Sequence, residues 1–286
     1  GFKKVEIPAD YNFPNPFWLP YLKGRKDIHR FLMSASCGGS KIGGISRQVR
    51  EEMHNLLSCF DYISLRDSFT RRFVHQLLPE RELTLTPDPV FGFNKNVTDI
   101  PTKESMKEAY HLPDNYLVIS FYQQNWPQQE WADRFMEEAH KHGYTCVGVP
   151  MPQDGRNSLF DVNVELPIDP LQWYALIKYS GGYIGNNMHP VIVALHNAVP
   201  FFSYNIHGES LLRNRIQLLW TSKEYDLLKR FHLQQYLAPQ PMLNLISPKK
   251  VVQKMVHFDR THALTVSKQL EGEYVQMMEQ ICSRFI

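Results

Sequence analysis

A histidine set where a strand turns into a helix is the residue of this chain best suited to chemistry. It is His189, in Gly181-Gly-Tyr-Ile-Gly-Asn-Asn-Met-His-Pro-Val-Ile-Val-Ala-Leu-His-Asn-Ala-Val-Pro-Phe-Phe-Ser-Tyr-Asn205. Tyr183 and Ile184 read as a strand end. Asn186 and Asn187 tolerate a turn backbone, and Pro190 suits the first helical position because it lacks an N–H. Val191 to Ala198 continues as an apolar helix, Pro200 stops it, and Phe201 to Tyr204 restarts as a buried strand. Such a turn, carrying Asn186, Asn187 and Met188, aims backbone N–H groups and the positive end of a helix dipole at a ligand above the sheet. With an imidazole beside them, that ligand would be a phosphate or a carboxylate. A histidine capping an ordinary helix is the competing reading.

Other turns carry groups of the same kind. Ser36 to Gly44 holds Ser36, Gly38, Gly39, Ser40 and Lys41, and a loop so rich in glycine can close its N–H groups around an anion. It lacks both Gly-x-Gly-x-x-Gly and the P-loop lysine spacing, so it is not a standard nucleotide fingerprint, and a plain flexible turn competes. Arg66 ends a strand, where a guanidinium can clamp phosphate or carboxylate through two parallel hydrogen bonds, unless it pairs with Asp67 or Asp88. Asp88 stands between two prolines and could act as a base or hold the turn. Gln123 follows a strong strand and faces the same end of the sheet. His111, His140, His142, His257 and His262 lack ligand spacing and read as surface residues, while His196 reads as a packing residue within its helix.

The elements that must position these groups alternate along the chain. Residues 1–27 are rich in proline and aromatics and read as a covering loop. Ile28 to Ser34, Asp61 to Arg66 and Leu83 to Thr86 read as strands. Between them lie a helix from about Ser46 to Cys59 and another capped by Asp67 or Ser68. Residues 92–112 read as a linker with a short helix near Glu104 to Tyr110. A second half follows, with strands at Tyr116 to Tyr122, Cys146 to Val149 and Val162 to Leu166, helices from Gln128 to His142 and from Pro170 to Ile177, then the His189 turn. From about Glu209 onward helices are expected to dominate, ending in one or two packed helices over Ser247 to Phe285. Two α/β halves, taken as 1–100 and 112–286, predict a cleft with ligands at the strand carboxyl ends.

Composition narrows the function. The chain has 286 residues, 31 basic against 29 acidic, and a formal net charge of +2, which gives no general nucleic-acid surface. Hydrophobic content of 43% with 21% charged residues suits a soluble globular enzyme. Cys37, Cys59, Cys146 and Cys282 are far apart without metal spacing, which predicts reduced thiols in a cytoplasmic protein. No apolar run approaches the roughly 20 residues that span a bilayer. No histidine or carboxylate cluster offers itself to a metal, and none is expected.

Three blocks together resemble the polysaccharide pyruvyl transferase family. They are Phe60-Asp-Tyr-Ile-Ser-Leu-Arg-Asp-Ser-Phe-Thr-Arg71, Thr86-Pro-Asp-Pro-Val-Phe91, and Asn187-Met-His-Pro-Val-Ile-Val-Ala-Leu195 with Val199-Pro-Phe201. The resemblance implies an α/β GT-B-like fold of two Rossmann-like domains facing across a cleft, with a helical C-terminus. It implies transfer of a pyruvyl group from phosphoenolpyruvate to two hydroxyls of a polysaccharide or lipid-linked saccharide, making a ketal. A role at the inner face of a membrane is implied as well. The family's histidine maps onto His189 and its strand-end arginine onto Arg66, with Asp88 as a candidate base. Two departures stand out. Asn187 occupies the place of a frequent arginine, so that the donor-binding cation is either missing or supplied elsewhere, for instance by Lys41 or Arg71. The family's early Asn-x-Gly-Asp turn is not found, and the N-terminal domain is expected to be incomplete. Two alternatives stay open. A GT-B glycosyltransferase using a nucleotide sugar would place a glutamate in the helix after the turn; Val191 to Ala198 has none, though Glu209 could substitute. A non-catalytic carbohydrate- or partner-binding descendant is the other.

Overall fold

The computed structural model describes residues 13–14, 16–37, 42–121, 127–149, 160–205, 209–211, 216–218 and 222–285. The chain divides into two units at Pro87. Unit 1 comprises Gly1–Pro87 together with Gln276–Ile286, and unit 2 comprises Asp88–Val275. The break thus falls ahead of the 92–112 segment, and the C-terminal residues return to the first unit.

In unit 1, β1 (Phe31–Ala35), α1 (Arg47–Leu57), β2 (Tyr62–Leu65), α2 (Ser68–Leu77) and β3 (Thr84–Leu85) alternate. The three strands are parallel in the order β1-β2-β3. Side-chain caps set both helix starts: Ser46 Oγ accepts from the N–H of Val49, and the Asp67 carboxylate accepts from the N–H of Thr70 at 2.7 Å. Phe60, Ile63, Leu65, Phe73 and Leu77 form the core beneath. Met277, from the returning segment, brings its sulfur to 3.3 Å from Ser64 Oγ.

Unit 2 opens with α3 (Phe93–Asn96) and α4 (Lys103–Tyr110). β4 (Tyr116–Ser120), α5 (Gln129–Lys141), β5 (Thr145–Gly148), β6 (Val162–Asn163), α6 (Pro170–Lys178), β7 (Gly182–Gly185), α7 (Met188–His196) and β8 (Phe201–Asn205) follow. Then come β9 (Glu209–Leu211), β10 (Ile216–Leu218), α8 (Lys223–Arg230), β11 (Leu237–Pro239), α9 (Pro248–Val256) and α10 (Arg260–Phe285). A six-stranded parallel sheet runs β11-β8-β7-β4-β5-β6. Counted along the chain, that is the doubly wound order 3-2-1-4-5-6, whose direction reverses between β4 and β7. Tyr116–Ser120 is buried throughout, as a strand covered on both faces must be.

Two expectations change. Helices do not dominate from Glu209: β9 and β10 form an antiparallel pair and β11 adds to the sheet edge, because the short segments 209–211, 216–218 and 237–239 find strand partners that period alone does not reveal. Helix α7 begins at Met188, so Pro190 is its third residue rather than its first. The third N–H of a helix also lacks an intrahelical acceptor, and proline loses nothing there.

Candidate functional site

The turn between β7 and α7 lies beside the point where the strand order reverses, where an open α/β sheet leaves a crevice at its carboxyl end. Gly185 is required there. A Cβ at that position would collide with the Tyr183 hydroxyl and with the main-chain carbonyl of Ser120 on β4. Asn186 follows, fully buried, and Asn187 is the N-cap residue, its side chain making no cap bond to α7. Eight of the nine residues of α7 are buried, from Met188 through the apolar run to His196. His189 is the exposed one, at the second position of the helix, where the dipole is positive. An otherwise fully buried helix thus presents an imidazole and its first N–H groups at the ligand end of the sheet.

Beneath this turn is a polar layer that the sequence does not announce. Ser120, Gly185 and Ser203 lie side by side across β4, β7 and β8, so their side-chain positions share one face. Tyr183, two residues before Gly185 on that face, extends its ring so that the hydroxyl fills the space over Gly185. Glu224, the second residue of α8, is 1% exposed. Its carboxyl acts on Tyr183: burial, and then the Glu224 charge, push the phenol up. Burial pushes the Glu224 carboxyl itself up to about 8, with Lys223 opposing. Neither carboxyl oxygen of Glu224, nor the Tyr183 hydroxyl, nor Ser203 Oγ has a hydrogen-bond partner among the described residues.

In unit 1 the structure brings Ser36 and Arg66 to neighbouring strand ends, since the Arg66 N–H donates to the Ala35 carbonyl at 3.1 Å. Arg66 is half-buried. Asp67 beside it is taken up as the α2 cap. Ser34 adopts φ 49°, which turns the chain at this strand end, and its Oγ meets Thr86 Oγ1 at 3.0 Å. Gly38, Gly39, Ser40, Lys41 and Gln123 lie outside the described residues. In unit 2, Asp88 is buried and caps the 3-10 turn Pro89–Gly92 by accepting from the N–H of Val90 at 3.1 Å. That gives it a structural task in the folded chain.

His196 packs as expected: its Nδ1 meets the Tyr174 hydroxyl at 2.8 Å, and burial pulls the imidazole down to about 4, so it is neutral. His140 is not a lone surface residue. Its Nε2 lies 2.7 Å from Asp161 Oδ2, and with the buried Cys146 thiol the three ligand atoms sit within 4.8 Å of one another. The same Asp161 oxygen accepts from the Cys146 N–H at 2.7 Å, a hydrogen bond that pins β5 to the segment before β6, as the His140 contact pins α5. No spacing pattern signals this cluster, because α5, β5 and the residues before β6 meet only in the fold. In unit 1 a surface groove of about 850 Å³ runs over α1 and α2, but it holds none of the strand-end residues. Its Arg47 pairs with Glu51, and its Arg50 donates to the Ile45 carbonyl.

The profile of the polysaccharide pyruvyl transferase family matches residues 10–208. No curated protein matches the chain. Among solved structures, S. aureus MnaA in complex with UDP superposes with a TM-score of 0.56 at 9% identity, over 95% of this chain and 72% of that one. A Listeria monocytogenes protein described as a UDP-N-acetylglucosamine 2-epimerase gives 0.51 at 12% identity, over 84% and 61%. The UDP-GlcNAc 2-epimerase of Methanocaldococcus jannaschii, in complex with UDP-GlcNAc and UDP, gives 0.48 at 11%, over 76% and 62%. The chain spans about three-fifths of the length of the latter two. These neighbours are GT-B fold enzymes, and this chain shares their α/β fold.

Proposed function

The chain belongs to the polysaccharide pyruvyl transferase family, and we propose that it moves a pyruvyl group from phosphoenolpyruvate onto two hydroxyls of a saccharide, forming a ketal. The observation that carries this reading is His189, exposed at the positive end of the buried helix α7 beside the reversal point of the sheet. Phosphoenolpyruvate is a small double anion, and a helix N-terminus with an adjacent imidazole suits its phosphate.

The reaction needs two proton movements. A proton adds to C3 of the enol, leaving C2 electron-poor, and a sugar hydroxyl attacks C2 and loses its own proton. The C2–O bond to phosphate breaks, a second hydroxyl attacks C2, and its proton leaves. Of the two hydroxyl protons, one balances the proton taken up at C3 and the other leaves with phosphate. His189 is assigned to the leaving phosphate as ligand and proton donor, with the Met188 and His189 N–H groups beside it. A positioned acid of this kind contributes about 10²–10⁴-fold. Arg66, at the strand end of unit 1, is assigned to a carboxylate or phosphate, where its planar fork can bind two oxygens. Asp88 is the candidate base, although its cap bond to Val90 competes with that task.

Calorimetric titration with phosphoenolpyruvate, and separately with UDP-GlcNAc, tests the assignment on the wild type and on His189→Ala. Binding of phosphoenolpyruvate that falls at least tenfold in the variant is expected. Binding of the nucleotide sugar alone would move the assignment to a glycosyltransferase, and unchanged phosphoenolpyruvate affinity in His189→Ala would remove the histidine from the site.

A further inference from the structure

Buried polar groups without partners are rare in folded proteins, because each gives up its hydrogen bonds to water for nothing, and where they occur they mark a functional group or a bound ion or water. Among the described residues of unit 2, both oxygens of Glu224, the Tyr183 hydroxyl and Ser203 Oγ are four atoms of this kind. All three residues are 1% exposed or less. Ser203 pairs in register with Gly185, the Tyr183 hydroxyl lies over Gly185, and the charge of the buried Glu224 reaches Tyr183 without a hydrogen bond between the two. The same hydroxyl faces the main-chain N–H of Asn187 and the side chain of Ser120 without reaching hydrogen-bond geometry with either. The layer therefore lies directly under the turn that carries His189.

We propose that Glu224 is a positioning residue for this turn, acting through Tyr183 on the Asn187 N–H, and that a negative charge on its carboxyl weakens anion binding at the start of α7. As a neutral acid, Glu224 can donate to the Tyr183 oxygen, and the tyrosine can in turn donate to a serine of the layer. Once ionised, the carboxylate only accepts, so Tyr183 must turn its O–H toward it and away from that partner. A charge buried in this layer also repels an anion seated on the helix N-terminus, since the interior screens it poorly. Among the described residues, Lys223 on α8 is the charged group acting on Glu224, and Tyr183 is the titratable group facing it. Burial holds the carboxyl protonated up to about pH 8, so the wild-type protein is in its anion-binding form at neutral pH. The inference rests on the proposed function in taking the α7 turn as the anion site.

The test is calorimetric titration with inorganic phosphate and with phosphoenolpyruvate from pH 6.5 to 9.5, on the wild type, Glu224→Gln and Tyr183→Phe. Wild-type affinity for either anion is expected to fall on the order of tenfold between pH 7 and 9. Glu224→Gln, a permanent neutral analogue, and Tyr183→Phe, which lacks the relaying hydroxyl, should each lose most of the wild type's fall over that range. Wild type and Glu224→Gln falling in parallel would overturn the proposal. If Glu224→Gln does not fold, Tyr183→Phe decides alone, and full pH dependence in it would overturn the relay. Phosphate that behaves as described while phosphoenolpyruvate fails to bind would sink the donor assignment and leave Glu224 in its role. Phosphoenolpyruvate that binds with no pH dependence near 8 would do the reverse.

Discussion

Glu224 releases its proton near 4.5 in the unfolded chain and near 8 in the folded one, so between those values the native state holds a proton that the unfolded state has lost. Stability is greatest below about pH 4.5 as far as this group is concerned. It falls as pH rises toward about 8, by up to about 1.4 kcal/mol per pH unit, and then levels. Denaturant unfolding of wild type and Glu224→Gln at several pH values should show that downward slope in the wild type only; matching slopes would mean the carboxyl is already ionised in the folded protein. No ligand is needed for this measurement. Nothing in Ser222-Lys-Glu-Tyr announced such a residue, since glutamate in a first helical turn normally faces water and the positive dipole end. His189 was legible because its neighbours define a strand, a turn and a helix locally. The environment of Glu224 is set by β7 and β8, which are remote in sequence.

The β7–α7 junction depends on a glycine that admits a tyrosine hydroxyl. Gly185→Ala would drive a methyl into the Tyr183 hydroxyl and into the Ser120 carbonyl, a main-chain atom of the neighbouring strand that cannot swing aside. A loss of about 1–3 kcal/mol is expected, together with weaker anion binding. Gly272, inside α10 with open space around it, makes the control: alanine there should stabilise by about 0.5–1 kcal/mol. Urea unfolding of both variants checks the pair, and a Gly185→Ala protein as stable as wild type would show that the strand end can spread. At this scale most of the fold was readable. Asp67 caps α2 and Pro170 opens α6 where the residue types said they would. The failures were the short strands β9, β10 and β11, each three residues, too brief to show a period and dependent on a partner for their identity.

For the molecule as a whole, the alternation of strands and helices was enough to predict two α/β halves and the parallel sheets. The doubly wound order was not readable, because it depends on which way each crossover turns. Nor was the return of residues 276–286 to unit 1, since an amphipathic helix carries no mark of the surface it will cover. Met277 and Ile281 are 2% and 3% exposed, so deleting 276–286 would take two side chains out of the interior, each worth about 2–5 kcal/mol. In hydrogen exchange, the amides of β1 and β2 should lose protection while those of β4 and β7 keep theirs. Equal protection in both units would mean that the first unit stands without its returning segment.

That returning segment sets a timetable for biosynthesis. Residues up to Pro87 leave the ribosome before unit 2 does, yet the unit they build is closed by Gln276–Ile286. At about 5–20 residues per second, synthesis of the intervening stretch takes on the order of 10–40 s. Unit 2 can collapse as it emerges, whereas the earlier sheet waits with part of its apolar surface bare. The nascent chain therefore offers chaperones a lasting hydrophobic target in the unit that is made before the other.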